Sequence, residues 1–561
     1  MNGATMLLRA LRLQDISTVF GILGREGASI RFNEVEGVRF LLTRHEFTAG
    51  IAADVFARAS RRPQVCFSTL GPGATNLVTP VASASLDRSP LIAISAQAES
   101  YDLHYGHTQQ CIDQVAMMAP LCKYATEITD ITQIPLAVHE AFRAAWTEPL
   151  GPSFLSISID VFRQTMDDEL AWDLLSARPT STPFALSEPS SDQLNSMWDI
   201  LERAANPIAV VGNFVIRGGA TEGLQSFVEK FGLPCVTSYT GKSALPSTHP
   251  LNLGTISPYV DSVFEGDHLD SLFGPVDAIL LLGYDYVEDI RPEMWEFGQK
   301  KTIVRVAAFP NPLPEFRVDL DVITDLSALF RELNSDRFPT RKPERAVYGL
   351  PTARQQLLEK GKTPRASVVS PEAIIGVVNG LNRRDLVLVV DVGLHRVFAG
   401  LLAEVEMANT FFTSCGLATF GFALPAAIGA HFAFPDRNIV AICGDGGFHS
   451  VSQDLETLAR LRVPVVILVF EDRHMGLIRA YESIDGSDPN PDTVEFLSVD
   501  FVALARANGC QASLATTSGD LATALHQGLA TRTPTVIQVP VSYSYSISKS
   551  RALSPFLTRE A

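Results

Sequence analysis

Short apolar runs alternate with helix-like segments along most of the chain. Val19-Phe20-Gly21 ends one such run, Phe40–Thr43 and Val65–Thr69 form two more, and His45–Ala59 between them reads as an alanine-rich helix. Gly71-Pro72-Gly73 turns into a helix beginning near Asn76, and Leu91–Ala96 and Ser153–Ile159 add two strands. The alternation resumes at Pro207 with strand Ile208–Val211, a helix after Gly218-Gly219, strands Leu233–Thr237, Ala278–Gly283 and Thr302–Val306, and Ile323–Leu333 closing the sheet. A third series holds Leu386–Val390, Ile439–Cys443, a helix over Asp454–Arg460, and Val463–Phe470. This pattern predicts an α/β protein whose parallel sheets are covered by helices on both faces. A Pro/Ser/Thr-rich stretch and a basic, Pro-punctuated one separate the series. The expected domains are residues 1–165, 196–336 and 370–540, with linkers at 166–195 and 337–369 and a tail at 541–561 that has too little pattern to place.

Composition narrows the partners. Of 561 residues, 46% are hydrophobic and 19% charged, as in globular chains rather than disordered ones. A net charge of −17 argues against nucleic acid or an anionic membrane as the main partner. No apolar run reaches the ~20 residues of a membrane span, and the first residues carry no cleavage-type signal. Seven scattered cysteines fit free thiols in a reducing cytoplasm.

The clearest chemistry lies between Asn438 and Arg479. Strand, helix and strand of this length form a βαβ unit, so the two strands run parallel and open at the same sheet edge. Asp445 and Asp472, far apart in sequence, are thereby brought together beside Gly444, Gly446 and Gly447. Hard oxygen ligands next to glycine-freed amides suit a divalent cation bridged to a phosphate. Glu46, in Arg44-His45-Glu46, sits where a strand leads into a helix, a place that favours an acid. The central series has no G-x-G-x-x-G, so Gly212 and Gly218-Gly219 read as turn formers, and whether this domain takes a nucleotide such as FAD is left open.

These segments together resemble the thiamine-diphosphate (ThDP) enzymes. The resemblance implies three doubly wound domains, pyrimidine-binding, central and diphosphate-binding, with ThDP and magnesium as cofactors. In this likeness Asp445 is the first magnesium ligand, Asp472 the second and the His474 carbonyl the third; Glu471-Asp472 stands where the family has Asn-Asn. TRHEFTAGIAADVFARAS is similar to the segment whose Glu contacts the aminopyrimidine, which gives Glu46 the proton relay. Gly71, Pro72, Gly73 and Asn76 match the Gly-Pro-Gly-x-x-Asn of the pyrimidine pocket. Asp391, Gly393 and His395 fall near the diphosphate, as do Met475, Gly476 and Leu477. Gly416-Leu417-Ala418-Thr419-Phe420-Gly421 resembles Gly-Leu-Gly-Thr-Met-Gly, where Phe420 takes the place of the residue that props the cofactor into its bent shape.

Within that superfamily the chain resembles the acetohydroxyacid synthase branch, and most of all carboxyethylarginine synthase of antibiotic-type secondary metabolism. GREGASI, LDRSP, GYDYVEDIRPEMW and GDGGFHS with DLETLARL carry this likeness. It implies a transferase that joins a small carbonyl donor, glyceraldehyde 3-phosphate, to an amino-acid amine through a cofactor-bound acryloyl species. Arg396 would meet the substrate phosphate, and Gln110 and Tyr259 would line the reacting centre; Val397 and Gln109 stand where that synthase has His. Glu471 and Arg473 are further candidates for contacting an amino-acid acceptor. Two alternatives stay open: an acetohydroxyacid synthase or 2-oxoacid decarboxylase acting on pyruvate-like substrates, and a ThDP-binding regulatory protein without turnover. The likeness also implies a homodimer or homotetramer with active sites between chains.

Overall fold

The computed structural model describes residues 1–103, 109–178, 180–183, 185–288, 294–295, 300–313, 316–340, 349–362, 368–484 and 487–543. Their strands form three sheets of six, with every pairing inside them parallel. The first holds β1 (Thr18–Gly21), β2 (Arg39–Leu42), β3 (Gln64–Ser68), β4 (Leu91–Gln97), β5 (Tyr124–Ile128) and β6 (Ser153–Ser158), in the order β2-β1-β3-β4-β6-β5. Helix α1 (Glu46–Ser60) follows β2, and α2 (Pro72–Asn76) follows β3.

The central sheet holds β7 (Pro207–Val211), β8 (Cys235–Thr237), β9 (Asn252–Thr255), β10 (Ala278–Leu282), β11 (Thr302–Ala307) and β12 (Leu320–Ile323), ordered β12-β11-β10-β7-β8-β9. Helix α3 (Asn213–Arg217) leaves β7. The last sheet holds β13 (Leu386–Val390), β14 (Phe411–Thr413), β15 (Asn438–Gly444), β16 (Val465–Glu471), β17 (Gln511–Leu514) and β18 (Thr535–Pro540), ordered β14-β13-β15-β16-β18-β17. First and last sheets thus share one topology. The helices of this region used below are α4 (Leu394–Leu402), α5 (Ala423–Ala433), α6 (Asp445–Ser450), α7 (Leu455–Leu461) and α8 (Gly476–Glu482).

Strands β3, β4, β6, β7, β10, β13 and β16 are buried along their whole length, as parallel strands covered on both faces must be. By packing, the chain divides into two compact units. One comprises residues 1–184, 417–436 and 451–463; the other comprises the remainder. In the first, α1 lies against α5 so closely that a Cβ on Gly429 would overlap the Ala52 carbonyl. Alanines 49, 52, 53 and 57 on α1 and 423, 426, 427 and 430 on α5 keep both helices thin enough for that approach. In the second, the central and last sheets share a continuous apolar core that includes Ile279, Trp295, Val390 and Leu468.

Several boundaries differ from the sequence expectation. The closing segment Ile323–Leu333 is two elements: the edge strand ends at Ile323, and Asp325 caps a helix over Leu326–Leu333 by accepting from the Ala328 N–H. The helix expected near Asn76 begins at Val78, and a separate short helix precedes it from Pro72, whose fixed φ suits a first turn, to Asn76. Residues 166–195 contain a helix at Asp168–Ser176, and 337–369 contain another at Leu350–Gly361. Gly444 to Gly447 do not simply break the strand, because α6 starts directly at Asp445.

Candidate active site

Geometry in the second unit begins with register. Gly444 of β15 pairs with Phe470 of β16, so the acids just past those strands emerge side by side. The Asp445 Oδ1 accepts from the Gly446 N–H at 2.8 Å, and Oδ2 accepts from the Arg473 N–H at 2.6 Å. Asp472 Oδ1 accepts from the His474 N–H at 3.2 Å, while the His474 ring bonds back to the Asp472 carbonyl. Burial raises the Asp472 carboxyl to about 7, and the neighbouring Asp445 charge adds to the rise; burial also raises Asp445. Two crowded carboxylates of one sign, partly withdrawn from water, favour a cation between them.

Small residues shape the floor. A Cβ on Gly447 would lie 3.1 Å from Asp391 Oδ2, one on Gly476 2.9 Å from Asp472 Oδ2, and one on Gly444 3.0 Å from the His395 ring. Gly393, with φ +150°, has the same ring 2.6 Å from its Cβ position. His395 is buried, and its Nε2 has no hydrogen-bond partner among the described residues. Burial, helped by the Arg396 charge, lowers it to about 3, so the imidazole is neutral. Asp391 is fully buried and accepts from the Val392 N–H at 2.7 Å. Met475, Gly476 and Leu477 are half-buried at the start of α8, where the Met475 N–H donates to the Val494 carbonyl.

Arg396 is buried, with Nη1 donating to the Ser414 carbonyl at 2.8 Å and the guanidinium 5.5 Å from the Tyr239 ring centre. Tyr259 is also buried; its hydroxyl meets that of Tyr481 on α8 at 2.9 Å. Gly416 is half-buried.

In the first unit, Glu46 opens α1, and its Oε2 accepts from Asn76 Nδ2 at 2.9 Å. Its other oxygen lies 3.3 Å from where a Cβ on Gly73 would be. Gly71, at φ +57°, backs onto Gln110, whose Cβ would be 2.8 Å from its own; Gln110 is exposed and also left-handed, at φ +63°. Ala418 has φ +54°, a conformation that costs an alanine about 1 kcal/mol. Phe420 stands 41% exposed, unusual for so large an apolar ring.

One residue with a clear part in this geometry was not singled out for it by the sequence. Asp454, fully buried, accepts from the Arg44 N–H at 2.8 Å, Thr48 Oγ1 at 2.6 Å and Thr457 Oγ1 at 2.8 Å. It therefore fixes the turn from which Glu46 projects. Its only sequence signal is its place at the head of the DLETLARL helix.

Three family models match the chain in order: the N-terminal TPP binding domain of thiamine pyrophosphate enzymes over residues 1–117, their central domain over 194–333, and their C-terminal TPP binding domain over 391–539. The chain belongs to the thiamine pyrophosphate enzymes. Its cofactor is ThDP, and its fold is the three-domain α/β arrangement of that group. Among similar proteins are a probable acetolactate synthase large subunit of Methanococcus aeolicus, 27% identical over 98% of this chain and 93% of that protein. The acetolactate synthase of Bacillus subtilis is 27% identical over 98% and 94%, and the large subunit of Corynebacterium glutamicum 29% identical over 94% and 84%.

The donors fit ThDP. A neutral imidazole nitrogen without a partner among the described residues, glycines that have no room for a Cβ and a pair of crowded carboxylates are compatible with a diphosphate and its cation. Among the described residues no three metal-ligating side chains converge, so a cation here would need main-chain or phosphate oxygens beside Asp445 and Asp472. Likewise, no helix among them is long and apolar enough to cross a membrane.

Proposed function

We propose that this ThDP enzyme is a magnesium-dependent carboligase of the acetolactate synthase type, acting on 2-oxoacids. The observation that carries the reading is end-to-end similarity to acetolactate synthases of an archaeon and two bacteria, each matched over more than nine-tenths of this chain. A 2-oxoacid donor would lose CO2, and its remaining acyl carbon would bond to the keto carbon of a second molecule, with one proton taken up. Bound ThDP supplies the carbon nucleophile that adds to the donor carbonyl and accommodates the electron pair left by CO2.

The chain's own residues do the rest. Asp445, Asp472 and the His474 carbonyl hold magnesium, and Gly444, Gly446, Gly447 and Gly476 let the backbone approach the diphosphate. Neutral His395 borders the seat without adding charge. Glu46, held by Asn76, keeps a proton in place at the aminopyrimidine, while Gly71, Pro72 and Gly73 leave room for the ring. Phe420 would support the cofactor's bend. Following the likeness to ThDP enzymes, whose sites lie between chains, we assign the active form to a homodimer or homotetramer in which Glu46 and the Asp445 site of one active centre come from two chains. Its seven free thiols suit a cytoplasmic enzyme.

A second reading is the carboxyethylarginine synthase-like one, supported by GYDYVEDIRPEMW, LDRSP and GDGGFHS, segments that extend beyond the cofactor motifs. One experiment separates the two. The protein is incubated with ThDP, magnesium, and either 2-oxoacids or triose phosphates, with and without amino acids, and products are read by mass spectrometry. Pyruvate-dependent CO2 release with a branched hydroxy-oxoacid product supports the first reading. Inorganic phosphate released from a triose phosphate, with a carboxyethylated amino acid and no CO2, replaces it with the second. Glu46→Gln should lower either activity about 10²–10⁴-fold while ThDP binding persists.

A further inference from the structure

The central sheet has a ligand crevice of its own. β7 and β10 are neighbours, but β8 continues from β7 on one side and β11 from β10 on the other, so the winding direction reverses between them. In doubly wound sheets a nucleotide binds at this reversal, outside the carboxyl ends of the strands.

Here the chain fills that place itself. Glu288, in the GYDYVE segment after β10, is 3% exposed. Its Oε1 accepts from the Asn213 N–H at 3.0 Å and the Asp285 N–H at 3.2 Å, and its Oε2 accepts from Ser238 Oγ. Asn213 begins α3 after β7, Ser238 follows β8, and Asp285 follows β10. Ser238 Oγ is itself fixed by the Gly241 N–H at 2.8 Å. Donors from three strand ends thus converge on one carboxylate. Gly212 closes the remaining space: a Cβ there would be 2.5 Å from the Gly283 carbonyl oxygen and 2.9 Å from Glu288 Oε1. A nucleotide phosphate would need the same N–H groups and would have to displace the buried carboxyl that already holds them.

We propose that the Glu288 carboxyl occupies the phosphate seat of the central domain, so that this domain holds no flavin, adenine nucleotide or other nucleotide. The inference does not depend on which carbonyl substrate the enzyme uses.

Two measurements on the full chain test it. Protein purified without added nucleotide is denatured, and the released small molecules are read by absorbance and mass spectrometry. Flavin or adenine nucleotide at stoichiometric level overturns the proposal; none is expected, and calorimetric titration with ADP should give no heat of binding. In Glu288→Ala the three donors lose their partner, so sodium acetate or inorganic phosphate should raise the melting temperature by several degrees over sodium chloride of equal ionic strength. The wild type should show no such preference. A folded Glu288→Ala without anion-specific stabilisation also overturns the proposal. Where that variant does not fold, Glu288→Gln, which keeps the shape, should fold and still bind no ADP; ADP binding to it or to the wild type decides against the seat being sealed.

Discussion

Two buried acids outside the cofactor set decide how this chain behaves when perturbed. Asp454 is fully buried and receives three hydrogen bonds. Asp454→Ala should cost about 3 kcal/mol of stability, since buried donors left unpaired cost about 1–3 kcal/mol each. It should also lower kcat at least about tenfold by loosening Glu46, with substrate KM little changed. Asp454→Asn, which keeps the acceptor for Arg44, should recover most of both; urea unfolding and steady-state kinetics read the two effects separately. Glu288 bears on pH. Burial, opposed by the Ser238 and Asn213 hydrogen bonds and reinforced by the Asp285 charge, raises it to about 7. An acid whose folded pKa is raised stabilises the fold fully below its ordinary value near 4.5 and loses that contribution as pH climbs through about 7. The loss amounts to about 3 kcal/mol by linkage. Melting temperature of the wild type should therefore fall between pH 5 and 8 more steeply than that of Glu288→Gln. Parallel profiles would contradict the assignment.

Among the elements, burial made the longest apolar runs readable from sequence. Strands such as β10 and β16 are covered on both faces and appear as unbroken apolar runs, AILLL and VVILVFE. β5, β9 and β17 were missed because these edge strands are half-exposed and short, and YATEI, NLGT and QASL carry no run to detect; β14 and β18 were missed although buried, β14 because FFT is so short and β18 because Gln538 interrupts TVIQVP. The candidate site shows the same division. Asp445 and Asp472 were legible because one βαβ unit brings them together, and Glu46 because its motif is local. Asp454 was not, since its role depends on a hydrogen bond to Arg44 across 410 positions, which no local pattern encodes. Helix packing offers a direct test. Gly429→Ala on α5 would press a methyl onto the Ala52 carbonyl of α1, and a destabilisation of about 2–4 kcal/mol in urea unfolding is expected. Gly376→Ala, in the helix Pro371–Asn379 with nothing within 4 Å of its new methyl, should instead stabilise by about 0.5–1 kcal/mol. The same substitution thus changes sign with its surroundings.

At the scale of the whole molecule, the first and last sheets have identical strand orders, as if one cofactor-binding plan were used twice with different residues at the strand ends. One copy presents Glu46 and Asn76; the other presents Asp445, Asp472 and His395. If each active site takes the first set from one protomer and the second from its partner, two inactive variants can repair each other. Glu46→Gln and Asp445→Asn are each expected to be nearly inactive alone. When the two are co-expressed, about half of the dimers carry one of each, and in those one of the two sites is free of both substitutions. About a quarter of wild-type activity should return. If each chain built its whole site from its own residues, every site in the mixture would keep one lesion, and activity would stay at the level of the single variants. The co-expressed mixture, assayed at equal protein concentration, therefore separates shared sites from self-contained ones, and mixed dimers isolated from it through two different affinity tags should show about half of wild-type activity.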